Sequence, residues 1–512
     1  MQGFPFTSAR HEAATVVMAD AYYRASGKIA AATTTYGAGF TNTATALAEA
    51  RFARIPLVLV AGDAPSLGPC SFDINQTAAA EALGVTTVVA GPHNASAAAH
   101  RAFDLALHTV QPVVLSLPYG LATAPVGGQV ELEALPARTV SMASGQELDR
   151  VALLRNAARP LILAGRGVLL GKAATPLKEL GDRLGALFMT SVMATNIVDS
   201  PWNLGIAGGF TREHRLEIAR QADVVLVAGA SLNSFQHRYG TIFGAESRVI
   251  RIDNEPPEPH PHVDDFVRAD LSLFLEALNV RLPVLDEKST WRRAAPGVAS
   301  EEFRSSKPME NPDEYGPDGG LNPRTVVAAL DHIQPADRSI VMDGGHFMGW
   351  APMYLSVPDP QATVLVGTAF QSVGLGFGSA PGVSVARPDR TTVFITGDGG
   401  GLMGLADFET FLRVTRSGVV IVLNDAAYGA ELHQYASEGL DPTAMLIDEV
   451  DFASVGQAFG AVGCKARSLA DLSKLDEWLR SDVDGVFVLD VAISRKIVVD
   501  FMKASLHARP KV

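Results

Sequence analysis

Residues Thr391–Glu431 read TTVFITGDGGGLMGLADFETFLRVTRSGVVIVLNDAAYGAE, and this stretch decides the fold. The β-branched and apolar run from Thr392 to Thr396 predicts a buried strand. Gly397, Asp398, Gly399 and Gly400 predict a glycine turn carrying one acid, followed by a helix. A second buried strand then ends at Asn424-Asp425. A short right-handed strand–helix–strand unit makes its strands parallel and close neighbours. Both strand ends then open at the sheet edge where doubly wound sheets bind ligands. Asp398 and Asp425 are therefore expected beside each other, near backbone N–H groups at a helix start. Carboxylate and carbonyl oxygens suit a hard cation such as Mg²⁺, and such N–H groups suit phosphates. A lone Gly-Asp-Gly would fit a plain Rossmann-type turn without metal equally well.

The rest of the chain bounds the answer. Its 512 residues suggest two to four domains. Hydrophobic residues make up 47% and charged residues 19%, an ordinary globular balance. A net charge of −13 argues against a general nucleic-acid or anionic-membrane binder. The two cysteines, Cys70 and Cys464, have no metal-ligand spacing, so a reducing, cytoplasmic setting without a disulfide framework is expected. No apolar run reaches the ~18–20 residues of a membrane helix, and MQGFPFTSARHE lacks a signal pattern.

Two polar, Pro/Gly-bearing stretches read as linkers, one from about Leu121 to Gly145 and one from about Pro283 to Pro323. They leave segments 1–121, 144–282 and 322–512. Each alternates β-branched runs with helical patterns, which predicts α/β architecture with three domains of parallel sheet flanked by helices. Strand candidates are KIAAATTTY, PLVLVAGD and PVVLSLP in the first. PLILAGRGV, DVVLVAGAS and RVIRID follow in the second, and SIVMDGG, TTVFITGD, GVVIVLND and GVFVLDVAI in the third. The stretch from Tyr36 to Asp63 mirrors that from Asp398 to Asp425 at the same interval, which suggests a duplicated unit and not a solenoid.

Gly-Asp-Gly, the spacer and the terminal Asn-Asp together resemble the cofactor signature of thiamine-diphosphate (ThDP) enzymes. The duplicated unit around a third domain is similar to the acetolactate synthase, pyruvate decarboxylase and benzaldehyde lyase group. That resemblance implies pyrimidine-binding, central Rossmann-like and diphosphate-binding domains in that order. It implies Mg²⁺ held by Asp398, Asp425 and the carbonyl of Ala427, although Asp425 stands where the family has a second Asn. Gly397, Gly399, Gly400, Tyr428 and His346, the last in the loop Asp343–Phe347, are implied to touch the cofactor. In FQSVGLGFGSAPG, Val373 matches the apolar wedge under the bent cofactor, and the carbonyl of Gln371 would accept from its 4′-amino group.

Arg10-His11-Glu12 opens a helix with Gly27 as its C-cap. By resemblance Glu12 is the glutamate that bonds N1′ of the pyrimidine, so that the 4′-imino group can take the C2 proton. A helix-start acid serving only the macrodipole is the plainer reading. Glu431 matches a glutamate of decarboxylases that manages protons, and it also fits a solvated helix acid. His433 and Gln434 are candidate pocket neighbours. The paired histidines of those decarboxylases are absent. The matching region offers Asp73, Asn75 and Gln76 instead, the last resembling a carboligase glutamine near the cofactor. Gly165-Arg166-Gly167 is a weak dinucleotide pattern that does not support FAD. Family members have a further strand–helix unit before the glutamate, so either the true start lies upstream or this is a short variant with an exposed sheet edge. The implied activity is C–C bond cleavage or formation on 2-oxo acids, aldehydes or acyloins by a homodimer or homotetramer. A catalytically impaired relative that binds or assembles, and a nicotinamide-dependent enzyme, remain open.

Overall fold

The computed structural model describes residues 5–64, 70–123, 144–254, 260–282, 291–305, 312–481 and 484–508. The chain forms two compact units. One comprises Met1–Arg138, Asp313–Met348 and Val364–Ile497, the other Thr139–Pro312, Gly349–Thr363 and Val498–Val512.

The first unit holds two sheets. In the N-terminal sheet β1 (Ala30–Thr34), β2 (Leu57–Asp63), β3 (Thr86–Val89) and β4 (Pro112–Pro118) stand in the order β1-β2-β4-β3, all pairs parallel. The second unit carries β5 (Pro160–Ala164), β6 (Leu187–Thr190), β7 (Asn203–Ile206), β8 (Val224–Ala228), β9 (Arg248–Asp253) and β10 (Asp265–Arg268), ordered β10-β9-β8-β5-β6-β7. The C-terminal sheet contains β11 (Arg338–Met342), β12 (Thr363–Leu365), β13 (Thr391–Gly397), β14 (Ser417–Asn424), β15 (Val462–Ala466) and β16 (Gly485–Ala492), ordered β12-β11-β13-β14-β16-β15. The three-sheet α/β architecture expected from the sequence is present.

Burial explains the strand composition. Every residue of β13 is buried, and β14 is buried from Gly418 onward, because helices cover both faces of these central strands. β1 lies at a sheet edge and exposes Ala31 and Thr33.

The two sheets of the first unit meet through helices. Glu12–Ser26 crosses Gly376–Ala386 closely enough that a Cβ on Gly378 would lie 3.1 Å from Cα of Ala14, and one on Gly382 would lie 2.3 Å from the Met18 carbonyl oxygen. Small residues in FGSAPG thus allow backbone-to-backbone contact. Val16, Val17, Phe40, Phe377, Phe394 and Phe408 belong to one continuous core there.

The linkers need correction. Residues 124–143 of the first stretch, and 283–290 and 306–311 of the second, lie outside the described residues. Between the latter two, Trp291 and Val298 are buried in the second unit's core, so this part is a folded element. One large apolar side chain in a polar run is enough to dock it.

Candidate active site

The site starts where β13 ends. Gly397 leads into the short helix Asp398–Met403, and β14 delivers Asn424-Asp425 beside it, because β13 and β14 pair in parallel from Thr392 to Gly397. Asp398 and Asp425 are only 1% and 8% exposed, and their carboxyl groups hydrogen-bond each other. The Ala427 N–H donates to Asp398 Oδ2 at 3.1 Å. Burial raises the pKa of both acids. The charge of Asp398 pushes Asp425 further up, and Arg495 pulls it back. Two buried carboxyls that cannot both ionise share a proton or a cation.

The neighbours fix this pair. Asn424 is turned away from it: its Nδ2 donates to Asp490 Oδ1 at 3.0 Å and to the Val450 carbonyl at 2.9 Å. Ala426 takes a left-handed φ of 51°. Its loop is tied down by Tyr428 N–H to the Met445 carbonyl, 2.8 Å, and Ile447 N–H to the Ala426 carbonyl, 3.0 Å. Arg495 Nε donates to the Asp425 carbonyl at 3.0 Å. The glycines are steric necessities. A Cβ on Gly399 would lie 2.6 Å from the Tyr428 ring, and one on Gly429 would lie 2.7 Å from Asp425 Oδ2.

A third acid, Asp343, follows β11. It is fully buried, and burial raises its pKa to about 6 against opposing backbone hydrogen bonds from Gly344, Gly374, Gly376 and Leu375. Val373 sits beside it: Cβ atoms on Gly400 and Gly344 would lie 3.3 Å and 3.6 Å from its methyl groups. Gln371 has φ 56° and is exposed. His346 is 4% exposed, with its ring 4.6 Å from that of His433. Burial, then His433 and Arg324, lower its pKa to about 3, so it is neutral at ordinary pH. It can donate to a phosphate, but the cation beside the acid pair is Arg495.

The remaining candidates lie on other elements: Glu431 on the helix that follows the acid pair, Glu12 and Gln76 in the N-terminal part of the first unit. Glu12 begins its helix at the surface, where Asn42 Nδ2 donates to its Oε2 at 3.1 Å and holds its pKa down. Glu431 is exposed on the helix Gly429–Tyr435, next to half-buried His433 and Gln434. Gln76 is buried at 4% and spans the turn of the first unit's N-terminal sheet. It accepts from Gly37 N–H at 2.6 Å and donates to the Gly62 carbonyl at 2.8 Å. Its amide is thus engaged by backbone. Asn75 caps the following helix by accepting from Ala78 N–H at 2.9 Å, and Asp73 accepts from Cys70 N–H at 2.5 Å. In the second unit, a Cβ on Gly165 would lie 2.2 Å from the Gly229 carbonyl and one on Gly167 2.7 Å from Gly229 Cα. Backbone packing therefore requires these glycines without any dinucleotide. The sequence reading missed Arg495, which lies just beyond the last long strand at the same sheet edge; that position was its available signal.

Among the described residues no group of three or more His, Cys, Asp or Glu side chains is set to hold a metal ion. A cation here would take two carboxylates and complete its shell with main-chain and ligand oxygens, the pattern Mg²⁺ favours with phosphates. The paired acids fit that donor set. A parallel α/β site with buried acids under a glycine turn defines a class of proteins built for an anionic ligand at strand ends.

Comparison with known proteins narrows the class. Residues 1–68 match the N-terminal thiamine pyrophosphate binding domain of thiamine pyrophosphate enzymes. Residues 149–278 match their central domain, and residues 343–491 their C-terminal thiamine pyrophosphate binding domain. The chain belongs to the thiamine pyrophosphate enzyme family. It is 25% identical to the sulfoacetaldehyde acetyltransferase of Alcaligenes xylosoxydans xylosoxydans, over 90% of this chain and 82% of that protein. It is 26% identical to 2-hydroxyacyl-CoA lyase 2 of Danio rerio, over 83% and 75%. It is 25% identical to the acetolactate synthase isozyme 2 large subunit of Escherichia coli, over 94% and 88%. Among the described residues no helix is long and apolar enough to cross a membrane.

Proposed function

We propose that this protein is a ThDP- and Mg²⁺-dependent enzyme that breaks or forms the C–C bond next to the carbonyl of a 2-oxo acid or acyloin, as a decarboxylase or carboligase. The observation that carries this reading is the buried, mutually hydrogen-bonded pair Asp398–Asp425 beneath a glycine turn at parallel strand ends. When bound, ThDP supplies a nucleophilic thiazolium carbon and an electron sink.

The chain's residues supply the rest. Asp398, Asp425 and the carbonyl of Ala427 would hold the cation. The turn Gly397–Gly400, Tyr428 and His346 would receive the diphosphate, with His346 as a neutral donor. Val373 and the carbonyl of Gln371 would position the cofactor's rings. Glu12 would serve N1′ of a cofactor bound by a second copy of the chain, so that the working form is a homodimer or homotetramer in the cytoplasm. Glu431 would supply a proton to the product once substrate covers it. FAD has no role in this reading. The relatives, an acetyltransferase, a lyase and an acetolactate synthase, support this reaction class.

A second reading, binding without turnover, draws support from Glu12, whose exposed carboxyl is held ionised by Asn42. A mass-spectrometric product screen decides between them. Protein with ThDP and Mg²⁺ is incubated with a panel of 2-oxo acids, aldehydes and acyloins. New aldehyde or acyloin products support the enzyme; ThDP binding with no product across the panel overturns it in favour of the second reading.

A further inference from the structure

Three charged side chains of the first unit are buried outside the acid pair. Asp20 and Arg24 lie one turn apart on the helix Glu12–Ser26, and Glu49 lies on the helix Ala44–Ala53. Their side chains are 1%, 5% and 1% exposed. Arg24 Nε donates to Asp20 Oδ1 at 2.5 Å, and its Nη2 lies 3.5 Å from Glu49 Oε1. Burying charges costs several kcal/mol per ion unless their hydrogen bonds are completed. Here the completing partners are backbone groups at the end of β12 and in the segment that follows it. Arg24 Nη1 donates to the Leu365 carbonyl at 3.0 Å, and Glu49 Oε2 accepts from Phe370 N–H at 2.7 Å.

That segment runs directly into Gln371, Ser372 and Val373. It is conformationally demanding: Gly367, Gln371 and Gly374 have φ values of 105°, 56° and 84°. The two glycines adopt such angles freely, but the left-handed Gln371 persists only where the surroundings impose it. Ser372 N–H closes the loop on the Gly367 carbonyl at 2.7 Å. Asp343 Oδ1 grips the far end through Gly374 N–H at 3.0 Å. The turn is therefore held at one end by an acid of its own sheet and at the other by an acid from the N-terminal half.

We infer that Asp20, Arg24 and Glu49 form a positioning network that sets the Gln371–Val373 turn for the cofactor, an inference resting on the functional reading above. The helix that presents Glu12 at its start also carries Arg24, which reaches the Leu365 carbonyl, and Asp20, which pairs with Arg24. The network therefore ties the helix that begins with Glu12, which serves a cofactor on a second copy of the chain, to the turn that serves this chain's own cofactor.

Isothermal titration of ThDP at saturating Mg²⁺, with melting of the cofactor-free protein alongside, tests it on wild type and Glu49→Gln. The expected result is a ThDP Kd raised about tenfold or more with a cofactor-free melting temperature close to wild type. Should Glu49→Gln fail to fold, Glu49→Asp, which keeps the charge but shortens its reach, is expected to weaken ThDP in the same way. A variant that melts early yet binds ThDP with the wild-type Kd shows a purely structural role and overturns the inference alone. Wild-type protein that binds no ThDP overturns the functional reading and this inference with it.

Discussion

Two copies of one backbone unit make opposite use of the same positions. Both run from a strand through a glycine turn and helices to a second parallel strand, Tyr36 to Asp63 in the N-terminal sheet and Asp398 to Asp425 in the C-terminal one. In the first, the opening position is a tyrosine, and Asp63 accepts from the Ser116 hydroxyl at 2.6 Å. Its turn is filled from within by Gln76, which ties Gly37 to Gly62. In the second, both positions are acids, buried against each other with raised pKa. The fold therefore supplies two equivalent ledges, and side chains at a few strand-end positions decide which is closed by the protein and which is built for a charged ligand.

The comparison breaks or sharpens at specific residues. Glu12 belongs to the first copy's half but acts, in this account, on a cofactor held by the second. Glu12→Gln should therefore cut turnover by about 10²–10⁴-fold while the ThDP Kd, read by titration, stays within about threefold. Next in size is the contrast between the two units. Asp398→Ala should weaken ThDP–Mg²⁺ binding about 100-fold. Asp63→Ala should leave the affinity nearly unchanged and cost about 1 kcal/mol of stability in urea unfolding through the lost Ser116 bond. Gln76→Ala should cost about 1–3 kcal/mol, because Gly37 N–H and the Gly62 carbonyl both lose their partner. An unaltered urea midpoint with lost carboligation would instead make Gln76 a catalytic residue. The smallest effect is expected for Asp425→Asn. It replaces the acid that burial and Asp398 make costly to ionise, so ThDP should bind about two- to fivefold tighter, roughly 0.5–1 kcal/mol, with turnover retained.

Long β-branched runs were legible because a central parallel strand is buried on both faces. TTVFITG and GVVIVLN have no other plausible home, and they placed the acid pair. The strands that escaped notice are short or half-exposed. β3 exposes both its end residues, β15 exposes its first, and β12 has three residues. β6, LFMT, is fully buried, but it runs on from a helical pattern that only Gly185, at φ 60°, interrupts. The site divides in the same way. Asp398 and Asp425 could be placed side by side because each follows a long buried strand of one strand–helix–strand unit. Glu49 and Phe370 are 321 residues apart, and nothing local in either segment announces their hydrogen bond. His346 was visible as a loop histidine, but only its burial shows that it stays neutral and leaves the cationic role to Arg495.

The central claim is that Asp398 and Asp425 form the seat of a cation that fastens a diphosphate. Calorimetric titration of ThDP into the wild-type protein, with Mg²⁺ and then with EDTA in excess, tests it directly. The account predicts saturable binding in Mg²⁺ that EDTA abolishes. No binding at millimolar ThDP, or binding indifferent to the metal, would contradict it.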